Sequence, residues 1–162
     1  MNKLTIDEFI SALLAPDAND VSKILVPGIK LDEIGVHGRT ALMAVSSEGL
    51  FAAMDSLIAL GASVNIAGAN GLTALHEASA NGHARSALRL LEVGANVDAE
   101  TVDEVTPLMC AAAWGHVEVA KILLSHNADW KRSDRTGATA LDIAGEKGEQ
   151  KFVDFLCSHL GG

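Results

Sequence analysis

The chain has 162 residues, enough for one domain with a sizeable core. Hydrophobic residues make up 49% and charged residues 20%, which argues against disorder, and with only 4% aromatics and no Tyr the core must be built from small and medium side chains. A net charge of −9 argues against nucleic acid or an anionic membrane as partner, since both need a basic face, but it leaves a basic protein partner open.

Taken in chain order, the first predicted element lies in MNKLTIDEFISALL, where Asp7 and Glu8 interrupt the apolar run. This is an amphipathic helix rather than a signal peptide, and Thr5 with Glu8 fits a capping box. No apolar stretch of the chain is long enough to span a bilayer.

Beyond it the text repeats. Thr40, Thr73, Thr106 and Thr139 recur every 33 residues. So do Leu42, Leu75, Leu108 and Leu141, and so do Gly49, Gly82, Gly115 and Gly148. Each threonine hydroxyl can cap a helix, and each glycine can end that helix at positive φ. A second apolar helix follows, as in HVEVAKILLSH, and stops at Gly61, Gly94 or Asn127. Polar or Gly-rich stretches such as NIAGANG then turn the chain into the next unit. One such helix pair cannot bury its apolar faces, whereas stacked pairs can, which predicts a solenoid.

The same register extends towards the amino terminus. Phe9 falls where Leu42 sits, Pro16 where Gly49 sits, and Ile24, Leu25 and Gly28 where Leu57, Ile58 and Gly61 sit. Residues 5–32 therefore read as a degenerate first unit, with Asp7, Lys23 and Lys30 on a solvated outer face. The last unit also reads as a cap. Asp142, Glu146, Lys147, Glu149, Lys151 and Asp154 are too many charges for a buried flank, while Phe152 and Phe155 seal its inner side.

The period, the helix–turn–helix content and the signature in TALHEASANGH and TPLMCAAAWGH resemble the ankyrin repeat. The likeness is looser in TALMAVSSEGL and TALDIAGEKGE and covers residues 34–162. It implies an all-α ankyrin-repeat solenoid with hairpin fingers, about five repeats including the degenerate caps. One domain over 1–162 would then divide near 1–33, 34–66, 67–99, 100–132 and 133–162. One position departs from the pattern: Glu104 stands where Gly38, Gly71 and Gly137 stand, so its hairpin is expected to be distorted or less rigid.

Candidate chemistry is sparse. His83 and His116 occupy one repeat position, about 10 Å apart by helix-packing distance, too far to share a zinc ion. His76 sits where ankyrin-like repeats carry a structural histidine, and His37, His126 and His159 have no ligands at metal spacing. Neither a metal nor a cofactor is expected. No nucleophile motif, phosphate loop or zinc-binding His pair is found, and Cys110 has no nearby cation to lower its pKa. Cys110 and Cys157 read as reduced thiols of a cytoplasmic protein. The run DAETVDE, Asp98 to Glu104, reads as a solvated loop tip, since it lacks the ligand spacing of a calcium loop.

The resemblance implies that partners are gripped on a concave face formed by hairpin tips and first helices. Trp114 has Glu48, Asn81 and Lys147 as its repeat equivalents, all polar, so its ring is expected to be at least partly exposed. With Leu72 and Val105 beside it and Asn70, Glu77, Asn81 and Asp103 as a polar rim, it has the anatomy of a binding hot spot. The alternative is that the ring lies flat over a neighbouring helix. Arg39 and His37 complete the candidate partner-binding set, and Trp130, equivalent to Val64 and Val97, is expected to pack beneath its hairpin. The reading is a non-catalytic, monomeric interaction module, adaptor or inhibitor. Its alternatives are an immunity-type inhibitor that neutralises a basic toxin or enzyme, and the regulatory subunit of an enzyme.

Overall fold

The computed structural model describes residues 5–15 and 29–160. Nine helices lie among them: α1 (Ile6–Leu13), α2 (Ala41–Ser47), α3 (Phe51–Ala59), α4 (Ala74–Ala80), α5 (Ala84–Glu92), α6 (Pro107–Ala113), α7 (Val117–Ser125), α8 (Ala140–Lys147) and α9 (Gln150–Leu160). They pack in two rows. In one row α1 lies on α2, α2 on α4, α4 on α6 and α6 on α8; in the other, α3 lies on α5, α5 on α7 and α7 on α9. Four complete helix pairs are therefore stacked, and α1 begins a further unit. The expectations for Pro16, Lys23, Ile24, Leu25 and Gly28 lie outside the described residues.

Local chemistry sets the boundaries of each pair. Thr40, Thr73, Thr106 and Thr139 are all N-caps with extended backbone. Three residues on, Met43, His76, Met109 and Asp142 reach back to the cap, so a sulfur, an imidazole and a carboxylate serve one role. Gly49, Gly82, Gly115 and Gly148 end the first helices at φ between 67° and 77°. The turn needs glycine for a second reason: a β-carbon at Gly49 or Gly82 would lie 2.6 Å from the ring of His83 or His116 in the next unit. Asn127 adopts φ 64° where Gly61 and Gly94 both adopt 93°, as the register expects.

The spine is continuous. Phe9, Leu42, Leu75 and Leu108 are at most 1% exposed, and Met54, Leu57, Leu90 and Leu123 line the interface between the rows. Leu141 is half-buried against the same core. Phe152 is fully buried, and Phe155 meets it edge-on with 6.5 Å between ring centroids, closing the last unit.

Between units the chain forms short fingers. Each closes with the same two backbone bonds, as in Gly68 N–H to Leu72 O (2.8 Å) and Gly71 N–H to Gly68 O (3.0 Å). The finger at Glu104 keeps both, at 3.0 and 2.9 Å, so the expected distortion is absent. Glu104 instead takes φ 62°, the conformation its glycine equivalents adopt. Each finger donates one bond to the finger before it, from the N–H of Ala69, Val102 and Arg135. Val36 is the equivalent residue of the first finger, and its N–H donates to Asp7 Oδ1 at 2.9 Å. Asp7 thus faces inward and accepts the bond that each later finger gives to the finger before it, which corrects its expected place on the outer face. Thr5 and Glu8 form the expected capping box, and Lys30 is exposed.

Candidate functional site

The face made by the fingers and the first helices carries the predicted residues, but it divides them among three depressions. Asn70, Leu72, Asp103 and Val105 line one, together with Thr101 and Val102. Asn81 and Trp114 line a second, with Ala80 and His116. His37 and Arg39 line a third, between α1 and the first finger.

The Trp114 ring is 66% exposed and caps the carboxyl end of α6, so it does not lie flat over a neighbouring helix. Its expected apolar neighbours are elsewhere. Val105 precedes α6 and Trp114 follows it, so the seven residues of the helix, a rise of about 10 Å, lie between them. Leu72 and Val105 therefore flank the fingers, whereas Trp114 stands on the opposite rim. The ring's surroundings are Asn81, whose amide donates to Glu77 O (2.9 Å) and Ser47 Oγ (3.3 Å), and the half-buried His116.

Several charges of this face are already engaged. Arg39 Nε lies 3.1 Å from Glu77 Oε1, without the alignment of a hydrogen bond, and the Glu77 side chain is only 14% exposed. Asp103 pairs with Arg135 at 3.6 Å. Exposed apolar side chains on the fingers include Val36 and Val102, which share one repeat position. Trp130 is 37% exposed, with Lys131 Nζ 5.2 Å above its ring, so it does not pack beneath the hairpin as Val64 and Val97 do. Those valines belong to loops that an equivalent loop follows one unit later; one unit after the loop of Trp130, the second helix α9 instead runs on to Leu160.

Two ladders escaped the sequence reading. Asp32, Asn65 and Asp98 each accept the backbone N–H of the next unit, from Ser63, Asn96 and Asp129, at 2.8 to 3.0 Å. Their 33-residue spacing was the available signal. His83 Nε2 meets Ser47 O at 2.9 Å and His116 Nε2 meets Ala80 O at 3.1 Å. Each imidazole thereby caps the last carbonyl of the preceding unit's first helix, a bond that connects residues 36 apart.

His76 is fully buried, as a structural histidine should be. Its Nδ1 accepts from the Thr73 amide at 3.1 Å, which puts the proton on Nε2 to donate to Val105 O at 3.0 Å. Burial lowers its pKa below 6.5, against the two backbone carbonyls that raise it. Burial likewise pushes the Cys110 thiol up to about 12, with the Glu77 charge adding to it, so the thiol stays protonated and is a poor nucleophile. Cys157 is exposed. Among the described residues no three His, Cys, Asp or Glu gather to hold a metal ion, and no helix is long and apolar enough to cross a membrane.

No curated protein matches the chain. The family model for ankyrin repeats, in three copies, matches residues 9–101 and 90–162. That span takes in every complete helix pair, the four threonine caps and the fingers between them, and the chain belongs to the ankyrin repeat family, whose members serve as protein–protein interaction modules.

Proposed function

We propose that this chain is a non-catalytic adaptor or inhibitor that grips a partner protein through the face of its fingers and first helices. The observation that carries the reading is Trp114. A large ring held 66% exposed at the end of a packed helix loses little freedom on binding and offers the area of a hot spot. Asn81 beside it and, across the face, Asn70, Leu72, Val102, Asp103 and Val105 extend the contact. His37 and Arg39 form its far end. In this reading the free protein is a monomer in the cytoplasm.

Trp114→Ala tests it. Partner affinity should fall by about 2 kcal/mol or more, with the thermal midpoint nearly unchanged. A collapse of thermal stability would make the ring a structural element and remove the proposal's main support.

A second reading makes the chain a neutralising inhibitor of a basic protein. It is favoured by the net charge of −9, which is spread over all five segments. Association that slows steeply with added salt supports this reading; salt-insensitive association rejects it.

A further inference from the structure

The capping of first helices breaks at one junction, and that junction carries Trp114. Ser47 ends α2 and receives His83; Ala80 ends α4 and receives His116. Continuing the series, Ala113 ends α6, and the residue in the histidine position is Glu149. A carboxylate has no proton to donate to a carbonyl. Among the described residues Ala113 O accepts no hydrogen bond. Glu149 nevertheless occupies the same place as the imidazoles, since a β-carbon at Gly115 would collide with its carboxylate. It is half-buried, whereas Glu146, Lys147, Lys151 and Asp154 around it are exposed.

Two negative ends therefore meet here: the carboxyl end of a helix and a carboxylate. Lys147 and Lys151 are the closest cations in sequence, yet among the described residues neither forms an ion pair with Glu149. Trp114 directly precedes Gly115, against which that carboxylate lies, and its exposed ring attracts a cation.

We propose that Trp114, Glu149 and the Ala113 carbonyl together receive an arginine side chain of the partner protein. This rests on the reading of Trp114 as a partner contact. A guanidinium is flat enough to stack on the indole, and its fork of donors can serve the carboxylate and the carbonyl together. An ammonium has no flat face to stack. The charge of the whole chain favours a basic occupant from a distance, and exposed Glu48 and Glu146 lie on the same series of helix ends.

The test is a titration of the full chain, followed by amide and indole NMR, with the peptide acetyl-Gly-Arg-Gly-amide. Its neutral isostere, with citrulline for arginine, serves as control. The arginine peptide should move the Trp114 indole N–H and the Gly115 amide and leave Trp130 still, and the citrulline peptide should do neither. Glu149→Gln should weaken the arginine response by about tenfold. Glu149→His should abolish it and raise the melting temperature, because an imidazole restores the missing donor. An equal response to citrulline, no response at Trp114, an unchanged response in Glu149→Gln, or a lower melting temperature for Glu149→His would each overturn the proposal. If Trp114→Ala weakens the native partner while Glu149→His does not, the groove reading survives and the arginine assignment falls. If neither variant matters to the partner, both fall.

Discussion

Glu104→Gly should stabilise the protein. Glu104 is held at φ 62°, and its equivalents Gly38, Gly71 and Gly137 adopt 71°, 80° and 87°. The left-handed conformation costs a residue with a β-carbon roughly 1–2 kcal/mol. Glycine removes that cost, but its greater freedom in the unfolded chain returns about 0.5–1 kcal/mol. The side chain is exposed and among the described residues makes no ion pair, and the finger's bond from the residue 104 N–H to Thr101 O depends only on backbone. The net gain should be about 0.5–1 kcal/mol, or about 1–4 °C in melting temperature for a chain of this length. Equilibrium urea unfolding measures it as a higher midpoint at unchanged slope. Glu104→Ala is the control, since it removes the same carboxylate and keeps the β-carbon, and it should show no comparable gain. A Glu104→Gly midpoint at or below wild type, or an equal gain from alanine, would refute the argument from backbone strain.

Other consequences follow from buried polar groups. His76 has a folded pKa below 6.5, so its contribution to stability is present above pH 6.5 and is lost as pH falls from there through the folded value. Protonation would also set an Nδ1 proton against the Thr73 amide that now donates to it. Unfolding midpoints should therefore drop between pH 7.5 and 5, and His76→Met, the residue found at 43 and 109, should flatten part of that drop. An identical pH dependence in the variant would discount His76 as the source. Ser79 is fully buried and its hydroxyl has no hydrogen-bond partner, while the equivalent residue of the next unit is Ala112. Ser79→Ala should stabilise by about 1 kcal/mol in urea unfolding, and a loss of stability would show that the hydroxyl is engaged after all.

The repeat register, the threonine caps, the helix-ending glycines and the buried leucine spine were all legible in the sequence. Each depends on contacts within a few residues, or on a stacking pattern that one unit shares with the next, so a 33-residue period carries the information directly. The outward turn of Trp114 was legible for the same reason, from the polar residues at its equivalent positions. The departures come from contacts between units, where the partner residue differs from one junction to the next. Asp7 faces inward because its carboxylate accepts the Val36 N–H, a bond that each later finger gives to the finger before it. Trp130 stays partly exposed because α9 continues where other units turn. Leu72 and Val105 lie away from Trp114 because the length of α6 separates the two rims, a distance that alignment of repeats does not display. Glu149 reads as one more charge of a solvated cap until the stack sets it against the end of α6, where its neighbours expect a proton donor. Bonds inside a unit recur with the sequence, whereas bonds across a junction depend on two units at once, and only the assembled stack decides them.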